Sequence, residues 1–313
     1  MKLLFSLGCI LLFAISLFAQ RRFVAVTFDD LPVSTNREGE TVEVEITTKI
    51  LANIAKNRIP AIGFVNENQL FEDNVRDESK VDLLRQWLNA GLELGNHTFS
   101  HADLNKVTLD EYEKDILKGE IITKELLQSQ GKQIRYFRHP YLSTGQDLPS
   151  KLGLNKFLNA KGYTITPVTI EASDWLFSDA YDKAFLKNDF ALMKKIGAAY
   201  LQFSAKMIDY YTRQSVKIFN RNIKQILLVH ANSINADYFD RVAEILKKRG
   251  YKFVSLKTAL QDKIYRAPEN YVGKEGISWI ERWAITRGKE KILDDEPQVP
   301  KFVSEAAGVE SEE

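Results

Sequence analysis

All four histidines of this chain stand at or just beyond the end of a strand-like stretch: His97 and His101 in NHTFSH, His139 in RHPY, and His230 in LLVHAN. Packing alone does not readily produce that distribution. Two adjacent carboxylates, Asp29 and Asp30, close another such stretch, RFVAVTFDD. The only cysteine is Cys9, inside an apolar N-terminal run, so the chain beyond it has neither disulfides nor thiolate ligands. Any transition metal must then be held by His, Asp or Glu. A spacing of four sets His97 and His101 on one face of a helical turn, where two imidazoles can chelate one ion. Adjacent aspartates repel unless a cation lies between or beside them. One can be a metal ligand and the other a proton acceptor, although a turn or a helix cap is the plainer use of such a pair. A glycosylation sequon at Asn96-His97-Thr98 would place a glycan on the candidate ligands and is set aside.

The elements that must carry these residues alternate along the chain. Strand-like stretches run from Arg22 to Phe28, Ala61 to Val65, Leu92 to His97, Tyr136 to Arg138, Gly162 to Ile170, Gln225 to His230 and Tyr251 to Ser255. Between them the spacing predicts helices over Val42 to Asn57, Lys80 to Asn89 and about Thr108 to Ser129. Repeated βα units imply a parallel sheet or barrel, because parallel strands need crossover helices. In a barrel the C-terminal strand ends converge on one mouth, which is where the histidines and aspartates fall. More chain lies between Asp174 and His230 than one crossover requires. There Met193, Ile196, Tyr200, Phe203, Met207 and Tyr210 form an apolar stripe, expected to pack on the domain as a helical insertion over about 178–220. A single domain over 20–288 is expected. Residues 289–313 turn polar and acidic, which predicts a loosely held tail.

The 313 residues include 43 Lys+Arg and 42 Asp+Glu. Lys2 falls in the first 19 residues, and without them the balance is 42 to 42, which argues against a nucleic-acid partner. With 44% hydrophobic and 27% charged residues, the composition is that of a folded globule. Lys2 followed by the apolar run Leu3 to Phe18 and then Ala19 reads as an export signal, the run being short for a bilayer span of about 20 residues. The expected product is exported, to the periplasm, the cell wall or the medium, with no stable membrane span once residues 1–19 are removed.

Five segments, in order, resemble the NodB-homology polysaccharide deacetylases, carbohydrate esterase family 4. Thr27-Phe28-Asp29-Asp30 resembles the family's first motif and His97-Thr98-Phe99-Ser100-His101 the second. Arg138-His139-Pro140-Tyr141 is similar to the third, Ser173-Asp174-Trp175 to the fourth and Leu227-Leu228-Val229-His230 to the fifth. The resemblance implies an α/β fold, a distorted (β/α) barrel. It also implies one divalent metal ion, most often zinc in this family, held by Asp30, His97 and His101. Asp29 would be the base that activates water, Arg138 its charge partner, and the Tyr141 backbone N–H an oxyanion donor. His230 would be the acid, supported by Asp174. Trp175, Leu228 and His139 would line the groove for an acetylated glycan, with His139 outside the metal's ligands. Leu31 stands where the family usually has Gly, Leu142 follows the third motif where Gly is common, and Ala231 follows His230 where Asp is common. These departures reshape the groove and remove no ligand. The implied activity is hydrolysis of N-acetyl groups on an extracytoplasmic glycan. O-acetyl ester hydrolysis and carbohydrate binding without turnover are the alternatives, and the intact Asp29 and His230 argue against the last.

Overall fold

The computed structural model describes residues 21–309. In chain order it contains β1 (Arg22–Ser34), α1 (Glu40–Asn57), β2 (Ile62–Val65), the hairpin β3 (Phe71–Glu72) and β4 (Val75–Arg76), α2 (Glu78–Asn89) and β5 (Glu93–Asn96). Then come α3 (Leu109–Lys118), α4 (Ile121–Ser129), β6 (Tyr136–Phe137), α5 (Leu148–Ala160), β7 (Thr164–Ile165), α6 (Asp174–Leu186), α7 (Phe190–Phe219) and β8 (Gln225–Asn232). The chain continues with α8 (Ser233–Lys248), β9 (Tyr251–Phe253), α9 (Leu256–Ala259), α10 (Trp279–Thr286) and α11 (Lys301–Ala307).

The main sheet has the order β7-β6-β5-β2-β1-β8, with β9 beside the start of β1, and its pairings are all parallel. The chain leaving β7 reaches the far edge of this sheet. There the N–H groups of Thr169 and Ile170 donate to the Ile226 carbonyl at 3.0 and 3.1 Å, and Ile170 bridges to Leu227. One irregular segment therefore joins the two edges of a curved sheet, the expected distorted (β/α) barrel. Parallel strands put all their C-terminal ends at one rim, and Asp29, His97, Arg138 and His230 lie there. Apolar packing fixes the sheet against its outer helices: Phe28 meets Trp87 of α2 and Phe239 of α8 edge-on, at centroid distances of 5.4 and 5.0 Å.

Three expectations change. The helix over Thr108 to Ser129 divides into α3 and α4, because two forces act at Gly119-Glu120. A Cβ on Gly119 would lie 2.3 Å from the Thr98 carbonyl carbon, so that close approach requires glycine. Glu67 then caps the new helix start, accepting from the N–H of Ile122 at 3.0 Å and of Thr123 at 2.6 Å. The insertion is two helices: α6 starts within the fourth motif, and α7, capped by Asp189, buries Ile196, Tyr200, Phe203, Met207 and Tyr210. The stretch after residue 289 is not a loose tail up to residue 309, because Val303 and Ala307 are buried and α11 packs on α6. Two apolar residues four apart make one helical stripe that a polar average composition conceals. The leader over 1–19 and the last four residues lie outside the described residues.

Candidate active site

Along a strand, neighbouring side chains point to opposite faces. Asp30 breaks that alternation with a left-handed φ of 62°, a conformation Asp tolerates better than most residues, and so both carboxylates turn to the rim. Asp30 Oδ1 lies 3.5 Å from His97 Nε2 and 3.3 Å from His101 Nε2. His97 Nδ1 donates to the Arg138 carbonyl at 2.8 Å, which leaves its Nε2 lone pair facing Asp30. The histidine pair does not sit on a helical turn. Thr98 and His101 take positive φ values of 65° and 56°, and the irregular loop between them is pinned from outside. Asn96 Oδ1 accepts the Thr98 N–H at 2.7 Å, and Asp115 Oδ2 accepts the N–H of Phe99 at 3.1 Å and of Ser100 at 3.0 Å. Asn96 itself is buried, so the sequon cannot carry a glycan in this fold.

The donor set fits a metal ion. Among the described residues, Asp30, His97 and His101 form the cluster whose ligand atoms all lie within 4.8 Å of one another. A tetrahedral ion with bonds of about 2.0–2.2 Å holds its ligands about 3.4 Å apart, close to the separations from Asp30. Asp30 Oδ1 is buried and has no hydrogen-bond donor, which is costly for an anionic oxygen unless a cation satisfies it. Burial also holds both imidazoles below their usual range, His97 strongly so. They are therefore neutral, as ligation requires.

Asp29 is buried beside this cluster, with Oδ2 at 3.7 Å from both Arg138 Nη1 and His97 Nε2. Burial pushes its carboxyl up to about 6, against the opposing pull of Arg138. Arg138 is fully buried and donates from Nη2 to Thr27 Oγ1 at 2.9 Å. Asp29 and His230 are direct register partners on adjacent β1 and β8. His230 Nδ1 donates to Asp174 Oδ1 at 2.8 Å, and Asp174 Oδ2 also accepts from the His230 N–H at 2.7 Å and from Asn235 Nδ2 at 2.5 Å. Burial alone would depress the His230 imidazole. The Asp174 charge and hydrogen bond outweigh it and carry the group up to about 10.

These groups open into a cavity of about 810 Å³. Leu228 and the half-exposed Trp175 and Tyr141 form parts of its wall, and the Tyr141 ring meets His101 edge-on at 4.4 Å. His139 lines it too, 1% exposed, with neither ring nitrogen hydrogen-bonded, and it lies outside the three-residue cluster. Burial, with help from Arg282, depresses its imidazole to about 3.

Against known proteins, residues 19–157 match the family model described as polysaccharide deacetylase. A peptidoglycan-N-acetylglucosamine deacetylase of Bacillus cereus is 28% identical over 240 residues, 76% of this chain and 68% of that one. Over residues 19–157 the chain is similar to the polysaccharide deacetylase family. Its fold is shared with the chitin deacetylase of Colletotrichum lindemuthianum, with a TM-score of 0.54 at 22% identity over 81% of this chain and 92% of that one. It is shared equally with a family 4 pseudoenzyme from Bacillus anthracis, with a TM-score of 0.52 at 16% identity over 77% and 66% of the two chains. Fold alone therefore does not decide turnover in this family, and the residues at the rim must.

The deacetylase family is metal-dependent, and the Asp30, His97 and His101 cluster is where this chain can hold an ion. The departure at Leu31 is absorbed locally: its buried side chain fills the space over Gly63, where a Cβ would lie 2.3 Å from Leu31 Cδ2. The sequence reading missed the wall contributed by Lys274 to Ser278. A Cβ on Gly276 would lie 1.6 Å from the Tyr141 carbonyl oxygen, so this loop lies directly on the third motif. Arg282, buried, holds the two together by donating to the Ile277 carbonyl at 2.9 Å, to Thr144 Oγ1 at 2.6 Å and to the Leu142 carbonyl at 2.5 Å. Nothing local in the sequence signals that contact. Asn235, which buttresses Asp174, was equally missed, although its place three residues after the cap Asn232 marks it as part of a helix start.

Proposed function

We propose that this chain is a polysaccharide deacetylase, a metal-dependent hydrolase that removes N-acetyl groups from a glycan outside the cytoplasm. The observation that carries the reading is the register pairing of Asp29 with His230 beside the Asp30, His97 and His101 cluster. Binding a sugar needs neither a buried base nor a buried acid next to metal ligands. A divalent ion, zinc by family preference, would supply Lewis-acid activation of water and of the acetyl carbonyl when held by those three residues.

The chain's own groups account for the proton traffic. Asp29, raised to about 6 and still ionised at neutral pH, takes the proton of the attacking water. Arg138 keeps that carboxylate charged and aimed, its own position fixed by Thr27. His230, protonated through Asp174, gives its proton to the departing amine nitrogen, and the Nδ1 bond leaves Nε2 as the donating atom. The Tyr141 backbone N–H is assigned to the developing oxyanion, held in place by the Gly276 loop behind it. Leu228 and Trp175 bound the space beside His230 and suit an acetyl methyl group.

Export is supported by the leader-like residues 1–19 and by the relative whose named substrate is peptidoglycan. Among the described residues no helix is long and apolar enough to cross a membrane. N-terminal sequencing of protein from the native host should begin near Gln20. The chemical reading is tested by acetate release from N-acetylated chitooligosaccharides against O-acetylated xylan. Release from xylan alone would replace the amide reading with an esterase.

A further inference from the structure

We infer that a second, smaller cavity beyond Trp175 receives a neighbouring pyranose ring of the same glycan, and that Asp182 positions that ring by accepting a hydroxyl hydrogen bond. The inference rests on the glycan reading above and concerns residues outside the five motifs, apart from Trp175. The cavity holds about 190 Å³ and is lined by Thr35, Asn36, Ser178 and Asp182 among others, with Trp175 as the wall it shares with the main cavity. Trp175 is 54% exposed, in the first turn of α6 and next to the Asp174 that holds His230. A large flat ring left in solvent between the main cavity and the smaller polar one suits the apolar C–H face of a pyranose.

Asp182 supplies the second observation. It is 1% exposed, and its Oδ2 accepts from Thr35 Oγ1 at 2.7 Å and from the Asn36 N–H at 3.0 Å. Its Oδ1 is buried with no donor, and Ser178 Oγ, in the same wall, is buried and equally unpartnered. A buried carboxylate oxygen without a donor is costly, and a ligand hydroxyl recovers that cost. The arrangement does not suit a cation. The neighbouring Asp179 is already bonded by Lys183 Nζ at 2.9 Å and by Asn36 Nδ2, so one carboxylate oxygen and one hydroxyl remain. Calcium would need six to eight oxygens.

The consequence is a dependence on chain length, since a single sugar cannot reach both cavities. The test uses zinc-loaded protein and acetate release from N-acetylglucosamine oligomers, monomer to pentamer. Wild type should gain about tenfold or more in kcat/KM once the chain spans Trp175. Asp182→Asn should remove about ten- to hundredfold of that gain, through KM rather than kcat. Asn36→Trp, which fills the cavity mouth from an exposed position without disturbing the buried bonds, should do the same. A length gain that persists in both variants, or is missing from wild type while short oligomers are hydrolysed, overturns the subsite and leaves the deacetylase reading intact. Failure of the zinc-loaded protein to release acetate from any of these substrates overturns both.

Discussion

Replacing Asp174 by Asn is expected to disable His230 while leaving the metal ligands in place. The working form of His230 is the protonated one, so activity is lost as pH rises through its pKa. In the native site that limit lies near 10, because the Asp174 carboxylate outweighs the effect of burial. Without that charge a buried imidazole falls to its ordinary value of about 6.5 or below. At pH 8 an imidazole of pKa 6.5 is only about 3% protonated, so the loss of charge alone costs about thirtyfold. The misdirected ring adds to this, because four donors, two from His230 and one each from Asn232 and Asn235, now meet a group with one acceptor oxygen. The combined loss should approach the 10²–10⁴ scale of general-acid catalysis. A bound dication lowers both profiles alike, so the informative quantity is the displacement of the alkaline limb between wild type and variant. The assay is acetate release from pH 6 to 10 at saturating zinc, with metal content measured on each protein. An alkaline limb that stays in place in Asp174→Asn would refute the assignment of His230 as the acid.

The two adjacent aspartates should separate by readout: Asp29→Asn keeps the metal and loses about 10²–10⁴ in turnover, whereas Asp30→Asn loses metal first and regains activity in excess metal. Metal analysis and turnover on both variants check this, and the reverse pattern exchanges their roles. A His97→Ala, His101→Ala double variant should bind no stoichiometric metal, and one-to-one retention contradicts the cluster. Gly276→Ala, which forces a methyl group against the Tyr141 carbonyl, should destabilise the fold by about 1–3 kcal/mol and lower turnover at least about tenfold. Thermal melts and kinetics measure the two effects separately, and unchanged turnover would detach this loop from the third motif.

The rim was legible because β-branched and apolar runs stop abruptly at polar residues, and Asp29, Asp30, His97, Arg138 and His230 all sit at such stops, although β1 itself runs past the two aspartates to Ser34. The histidine pair was found through an argument that the structure does not follow. A spacing of four was read as a helical turn, but Thr98 and His101 adopt positive φ because Asp115 and the bare Gly119 backbone hold the loop from behind. That support arrives from α3 and its C-terminal cap, and the spacing of two histidines carries no trace of it. The same glycine explains why one apolar periodicity over Thr108 to Ser129 became two helices. Arg282 and Thr144 touch across 138 residues of chain, so the cavity's C-terminal wall could not be read from any local pattern. Charge averaged over the last stretch likewise hid Val303 and Ala307, whose burial depends on where α6 lies.

The most direct test of the central claim is acetate release from chitotetraose by one preparation of the mature protein, first stripped of metal and then titrated with zinc. The stripped protein should release no acetate above background, and activity should rise linearly to a plateau at one equivalent of zinc, following the cluster of Asp30, His97 and His101. Undiminished acetate release from protein shown to be metal-free would contradict the account, and so would a zinc-saturated protein that releases none.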